Sequence, residues 1–367
     1  MIDKETSTKA NFETRLLSYK KLIDKDIESF IRSAQRSTLQ QYGAEARLAT
    51  DSFLEILGRG GKRIRGALTM VGYNMCGGKD EAMILQAARA LEMMHAYILI
   101  IDDIQDRSEI RRGDKTAHIM LKEYHHKKQL ADDSEHFGIA IALNSALIGS
   151  HAAQMLLANL NVDDGLRVKA LSIMNRTMMV TAHGQTNDIM NEVVAEVSEA
   201  SVERVLEWKT AHYTILNPLH VGMVLAGAGC DDTDAITEYA THAGIAFQIT
   251  DDILGIFGSE NQIGKSPMDD IKEGKRTILT VYALKHAQDA DKNFLLQMLG
   301  NHSISPAEFE RVKDIVIDSG ALDYAQKRTH QHIKTALHSL KLHGNRWPAE
   351  DVKFLNSLAI ALQNRQS

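Results

Sequence analysis

Proline is scarce in this chain of 367 residues: four occur, Pro218, Pro267, Pro306 and Pro348. With so few helix breakers, and with Ala, Leu, Ile, Met, Glu and Lys abundant, the composition favours a nearly all-helical chain over a mixed one. Cysteine is scarcer still. Cys76 and Cys230 are too few and too far apart to form a disulfide framework or a zinc site, which points to a reducing compartment and gives neither thiol a chemical role. Basic residues are not in excess, since 42 Lys and Arg stand against 48 Asp and Glu for a net charge of −6. That balance excludes the basic face of a nucleic-acid binder, so any anionic ligand must be held by a local patch. Long apolar runs are also missing: the longest, around Ala96 to Ile101, falls far short of the roughly 20 residues of a membrane span. The start, Met1-Ile2-Asp3-Lys4-Glu5, lacks the basic and then apolar pattern of a secretory signal. The expectation is a cytoplasmic protein with no membrane span and no nucleic-acid partner.

What is present is helical patterning almost throughout. Apolar positions recur at helical spacing over 12–57, break at Gly58-Arg59-Gly60-Gly61, resume over 64–75, and run again over 80–106. Further helices are predicted at 138–160, 165–192, 198–228, 233–257, 273–288, 306–318, 320–340 and 349–364. Glu109 to Thr116 reads as a loop, and the polar stretches 125–136 and 258–272 read as mobile loops with little to anchor them. No segment alternates with period two for long enough to build a sheet, and no internal repeat is visible. The predicted architecture is an all-α single domain of roughly ten or more helices over 41–367, with a solvated helical extension at 1–40.

Two acidic clusters stand out. Asp102-Asp103-Ile104-Gln105-Asp106 and Asp251-Asp252 each end a long apolar helical stretch, where like charges repel and oppose the helix macrodipole. A solvated helix end would explain one such carboxylate more readily than three. Oxygen-only ligands in this pattern suit a hard cation such as Mg²⁺, which is shared between carboxylates and a substrate phosphate. Ile84, Ala88, Leu91, His95, Ile98 and Asp102 recur at spacings of four and three, so His95 lies on the same face two turns before Asp102. Taken alone, His95 also fits a core histidine. Basic residues concentrate in Gly60-Gly61-Lys62-Arg63-Ile64-Arg65, at the start of a helix whose free N–H groups favour an anion, and in Arg111-Arg112-Gly113.

In order and spacing these pieces, together with Lys209-Thr210, Phe247-Gln248-Ile249-Thr250-Asp251-Asp252, Gly264-Lys265 and Glu273-Gly274-Lys275, resemble the trans-prenyl diphosphate synthases over roughly residues 50–290. The resemblance implies the isoprenoid synthase type of fold, with helices around a central active-site cavity, and about three Mg²⁺ ions on the diphosphate of an allylic substrate. Asp102, Asp106 and Asp251 would hold those ions, supported by Asp103, Asp252 and Asp188. Arg111, Lys209, Lys265 and Lys275 would contact the same diphosphate. Gly61, Lys62, Arg65, His95 and Arg112 would hold isopentenyl diphosphate. Thr210 and Gln248 would stabilise the allylic carbocation formed when the C–O bond breaks. The departing pyrophosphate would accept the proton, and the 258–272 loop would close over the site.

The sequence departs from the family in two places. Gly255 stands where the second motif carries a third carboxylate, and Asn144 lies where relatives usually carry Gly-Asp, which puts local packing in question. Tyr97, five positions before Asp102, and Ile98 would limit the tunnel in which the product grows. One large and one medium residue there favour geranylgeranyl diphosphate, with farnesyl diphosphate as the alternative. Tyr97 could equally fill the core. A class I terpene cyclase shares the acidic metal logic but has no use for Lys62, Arg65, His95 and Arg112, and a silent subunit of a heteromer would be expected to lose an acidic cluster. Relatives are typically homodimers, and the helices at 138–160 and 165–192 could supply the interface.

Overall fold

The computed structural model describes residues 2–260 and 266–364, with side chains described from residue 12 to residue 363 within those limits. Along the chain run α1 (Ile2–Gly58), α2 (Ile64–Met75), α3 (Glu81–Gln105), a short hairpin β1 (Ile110–Arg111) and β2 (Asp114–Lys115), α4 (Ala117–Lys127), α5 (Ser134–Ala158), α6 (Asp164–Val193) and α7 (Glu199–Val205). A π-helical segment, Leu206–Leu216, leads into α8 (Asn217–Leu225) and α9 (Cys230–Phe257). There follow α10 (Asp269–Lys272), α11 (Ile278–His286), α12 (Asp289–Met298), α13 (Pro306–Asp318), α14 (Ala321–His343), a 3₁₀ turn at Gly344–Arg346 and α15 (Ala349–Asn364). The all-α prediction is met, and the hairpin is the one sheet among the described residues.

Local chemistry explains where many of these helices begin. Asp80 caps α3 by accepting from the Met83 amide, Asp133 caps α5, and Thr277 caps α11. Ser305 and Glu308 form a reciprocal capping box around Pro306, which sits at the first helical position of α13.

The chain forms two compact units, each built from separate segments. The N-terminal unit comprises Glu13–Ser172 and Pro218–Gly227, and the C-terminal unit Met1–Phe12, Ile173–Asn217 and Ala228–Ser367. In the N-terminal unit, α2 packs on α3 and α3 on α5 around Phe53, Leu68, Leu91, Met94 and Ile100, all fully buried. There α8 lies so close to α2 that a Cβ at Gly222 would collide with the Thr69 carbonyl. In the C-terminal unit α9 packs against α14 and the π-helical segment, and Tyr239 donates its buried hydroxyl to the Leu355 carbonyl at 2.6 Å. Gly244 of α9 sits on Ala211, where a Cβ would overlap it.

Several expectations are corrected. Within its described side chains, the N-terminal segment is not solvated on all sides: Tyr19, Ile23 and Ile27 form a buried stripe at four-residue spacing, while residues 28–40 are exposed or half-buried. Asp24 and Asp26 on that helix pair with Arg63 and Arg89 at 2.8 and 2.6 Å. The dense Lys and Asp content around the stripe conceals it in the sequence. Gly43, at φ 82°, interrupts α1, so of the one or two helices that the 12–57 pattern allows, two helical runs are present. Glu109 to Thr116 holds the hairpin rather than a plain loop. The 125–136 stretch starts inside α4 and is anchored by a buried His125, whose Nε2 lies 2.9 Å from the Ala131 carbonyl oxygen. The single helix predicted for 198–228 is broken into three by the π-helical register, and α4 and α12 were not foreseen. Asn144 is exposed, so the packing doubt attached to it does not arise.

Candidate active site

In the N-terminal unit the hairpin decides where two consecutive arginines go. Arg111 pairs with Asp114 across it, leaving Arg112 and Gly113 as a two-residue turn with φ of 58° and 78°. Positive φ at both central positions is the turn that matches the twist of a hairpin, and it sends neighbouring side chains in different directions. Arg111 reaches back to the end of α3, donating Nε to Asp103 at 2.6 Å and Nη2 to Asp102 at 3.1 Å. Arg112 instead covers Gly61, where an added Cβ would stand 3.1 Å from the guanidinium. Its Nη1 donates to the Gly60 carbonyl, and its Nη2 lies 3.4 Å from His95 Nε2. Gly60 and Gly61, with φ of 79° and 127°, supply backbone that other residues rarely adopt.

Four of the five residues predicted to hold isopentenyl diphosphate are thereby gathered: Gly61, His95 and Arg112 by contact, and Arg65 through its field. Loss of solvent and the charges of Arg65, Arg112, Arg111 and Arg63 hold the His95 imidazole well below its ordinary pKa. A ring kept neutral among guanidinium groups marks a region of positive potential suited to an anion. Lys62 is exposed at the edge of the same loop. Arg63, the middle cation of that run, turns inward and does not join them.

At the end of α3, Asp103 is 1% exposed, and burial pushes its pKa up to about 6 against the pull of Arg111. Its Oδ2 finds no hydrogen-bond partner among the described residues. Asp102 and Asp106 add to the negative field there. Tyr97, on the same helix, hydrogen-bonds Ser150 of α5, and burial raises its phenol to about 12. Tyr97 and Ile98 are both partly buried.

In the C-terminal unit, the last turns of α6 bury polar residues and expose apolar ones. Asp188 and Asn191 are buried while Met179, Met190 and Val193 are exposed. Asp188 is bracketed by two lysines: Lys209 Nζ donates to its Oδ2 at 2.7 Å, and Lys275 Nζ lies 3.4 Å away. Lys275 also pairs with Glu192 at 2.9 Å. Lys209 and Thr210 lie in the π-helical segment, whose wide ladder is seen where the Asn217 amide donates to His212. Gly184 lets α6 approach that segment, since a Cβ there would collide with the Lys209 amide nitrogen.

Thr210 Oγ1 donates to Gln248 Oε1 at 2.7 Å, and Gln248 Nε2 donates to Asp252 at 2.7 Å. The relay fixes both neutral side chains predicted to face a carbocation. Burial pushes Asp252 up to about 8, against the Gln248 hydrogen bond and with help from Asp270, Asp188 and Asp251.

Asp270 is the residue that the sequence reading missed. Its carboxylate lies over Gly255, where any Cβ would collide with Oδ2. Gly255 therefore vacates a position that a carboxylate from α10 fills. Nothing in the sequence pairs residues 15 apart across a loop, although Met268-Asp269-Asp270 was visible as a further acidic pair. Gly264 and Lys265 lie outside the described residues, as does the middle of the 258–272 loop.

Helices carrying separate carboxylate groups, with a cationic cradle on one of the two units, define a prenyltransferase of the isoprenoid synthase type. Residues 47–316 match the polyprenyl synthetase family, and the chain belongs to it. It is 31% identical over 305 residues to a geranylgeranyl diphosphate synthase of Sulfolobus acidocaldarius, covering 82% of this chain and 87% of that one. It is 32% identical over 314 residues to a geranylfarnesyl diphosphate synthase of Aeropyrum pernix, covering 84% and 91%. A geranylgeranyl pyrophosphate synthase of Corynebacterium glutamicum, solved with isoprenyl diphosphate and magnesium, superposes with a TM-score of 0.88 at 29% identity, covering 95% and 98%.

The residues present fit a hard cation. The side chains assigned to the metal offer carboxylate oxygens only, and one buried oxygen of Asp103 has no hydrogen-bond partner among the described residues.

Proposed function

We propose that this protein condenses isopentenyl diphosphate head to tail with an allylic diphosphate (dimethylallyl, geranyl or farnesyl) to give geranylgeranyl diphosphate. The observation that carries this reading is the cradle of Gly61, Arg65, His95 and Arg112: a cyclase has one diphosphate to hold, whereas this chain keeps a separate cationic site for a second.

Asp102, Asp106 and Asp251 are assigned to Mg²⁺, with Asp103, Asp188 and Asp252 in support. When bound, Mg²⁺ stabilises the negative charge that grows on the leaving pyrophosphate. Arg111 and Lys209 supply fixed positive charge for the allylic diphosphate, Lys265 and Lys275 being assigned with them. Lys275 reaches this role through Asp188 and Glu192, which hold its ammonium. Thr210 donates its hydroxyl hydrogen bond to Gln248, so the hydroxyl oxygen keeps its lone pairs for the allylic cation. Neither group is basic enough to be alkylated. Arg112, Arg65, Lys62 and neutral His95 orient isopentenyl diphosphate so that its alkene attacks the cation. The proton then lost goes to pyrophosphate, and no protein base is required.

Tyr97, held by Ser150, takes the part of the floor that limits chain length, with Ile98 beside it. The name of the Sulfolobus relative supports the same product. The reading includes a homodimer, to which the exposed Leu143, Leu147 and Met155 of α5 contribute. It also includes a cytoplasmic location, supported by two free cysteines. Two helices, Glu81–Gln105 and Ser134–Ala158, are long and apolar enough to cross a membrane. The first is mostly buried as a core helix, and the exposed face of the second is assigned to the dimer.

The test is incubation of the purified protein with Mg²⁺, isopentenyl diphosphate and each allylic primer, followed by measurement of product length. Geranylgeranyl diphosphate is expected. Failure to condense any primer would refute the proposal, and a product that stops at farnesyl diphosphate would refute the chain-length assignment.

A further inference from the structure

Residues before 47 lie outside the family match, and none of the chemistry above uses them. One of them is nevertheless wired into the cationic cradle. Arg63 stands between Lys62 and Ile64 as the cap of α2, with φ 52° and ψ 35°. That left-handed conformation is unfavourable for a residue with a Cβ and persists only where surroundings over-determine it. Here the surroundings are three acceptors around a side chain only 4% exposed. Nε donates to Asp24 Oδ1 at 2.8 Å, Nη2 to the Leu57 carbonyl at 3.0 Å, and Nη1 to Glu92 Oε2 at 3.3 Å. Glu92 uses its other oxygen to accept the Gly66 amide at 2.9 Å, so one buried carboxylate ties Arg63 to the first turn of α2. Ile23, next to Asp24, closes the same corner, since a Cβ at Gly66 would stand 2.8 Å from its Cδ1.

We infer that Asp24 is a positioning residue for the isopentenyl diphosphate cradle. By drawing Arg63 inward, it holds the left-handed turn that sets the direction of Lys62 on one side and Arg65 on the other. The inference rests on the substrate assignment proposed above. The charge pattern supports it. Arg63 is one of four arginines whose fields reach His95, and it carries the carboxylates of Asp24 and Glu92 on its guanidinium as Arg111 carries those of Asp102 and Asp103. Asp24 is kept ionised: burial raises its pKa, but the Lys20 and Arg63 hydrogen bonds and charges more than offset that and hold it below its ordinary value. Without the Asp24 charge, a buried guanidinium N–H is left with at most a neutral acceptor, and the turn loses the charge-assisted contact that opposes its relaxation to negative φ. Lys62 and Arg65 then shift together, while Asp102, Asp103 and Asp106, and Lys209, Thr210 and Gln248, are untouched.

The experiment uses the full chain. Kd for isopentenyl diphosphate alone is measured by calorimetry, and steady-state kinetics are measured with each substrate varied. Asp24→Asn, which keeps the shape and removes the charge, should raise Kd and KM for isopentenyl diphosphate about tenfold, the scale of one charge-assisted hydrogen bond. KM for the allylic diphosphate and kcat should stay within about twofold of the unaltered protein, and Asp24→Glu should recover most of the loss. A folded Asp24→Asn protein with unchanged isopentenyl diphosphate binding overturns the inference, as does an equal rise in KM for both substrates. Arg63→Gln breaks the link from its other end and must give the same split. It replaces the first variant if Asp24→Asn does not fold. If the unaltered protein does not bind isopentenyl diphosphate, the functional reading falls, and this inference falls with it.

Discussion

Two arginines carry the backbone cost of the cationic half of the site. Arg63 and Arg112 both sit at positive φ, and a residue with a Cβ spends about 1–3 kcal/mol to stay there. In each case the side chain opposes relaxation, Arg63 through Asp24 and Glu92, and Arg112 through Gly60 and its cover of Gly61. The sequence shows both arginines as members of basic runs, and composition cannot say that one run splits its cations between the interior and a ligand. Gly255 illustrates the converse. In the sequence it is a missing carboxylate, whereas in space it is room for Asp270. Restoring the family carboxylate by Gly255→Asp should therefore harm the protein. The new side chain displaces the Asp270 carboxylate from its place over Gly255 and sets two like charges beside each other. A lower denaturation midpoint and weaker Mg²⁺-dependent turnover are expected. An equally stable and more active variant would show that Asp270 does not take the place of the third carboxylate.

At the scale of elements, α9 serves two roles from its two sides. One side carries Gln248, Asp251 and Asp252; another meets α14 through His242 and His332, whose Nδ1 atoms lie 2.8 Å apart. One ring must donate and the other accept, so the contact survives only while at least one is neutral. Burial, His242 and Arg328 depress His332 to about 4, and burial lowers His242 despite Glu238 and Glu207. Because the unfolded chain protonates this histidine near 6.5, it binds more protons than the folded chain between 6.5 and 4. The stabilisation is thus complete above pH 6.5 and is lost as pH falls toward 4. Urea midpoints at pH 7.5, 6 and 5 should fall more steeply for the unaltered protein than for His332→Gln, and identical slopes would refute the assignment. Neither histidine drew attention in the sequence, because the partners are 90 residues apart. The π-helical register around Lys209 and Thr210 was also hidden. Its apolar spacing passes for an α-helix, and the glycine that accommodates it, Gly184, belongs to another element.

At the scale of the molecule, one group of exposed apolar residues gathers on a single helix. On α5, Leu143, Leu147 and Met155 are 48%, 56% and 64% exposed, while Ala142, Ala146, Gly149 and Ala153 face inward. In the homodimer proposed above, this exposed face of α5 is the interface. Leu147→Glu should convert a dimer to monomers in sedimentation equilibrium at micromolar concentration, with helical content unchanged. A persistent dimer would place the interface elsewhere. Fold class, both acidic clusters and the basic loop could all be read from the sequence, because each depends on composition or on residues within a few helical turns. Tertiary structure alone decided that the N-terminal helix packs through Tyr19, Ile23 and Ile27, that Arg111 and Arg112 part company, that Arg63 turns inward, and that Asp270 fills the space at Gly255. Those outcomes turn on which distant side chains meet, as Lys275 meets Asp188 across 87 residues, and local periodicity carries no record of such meetings.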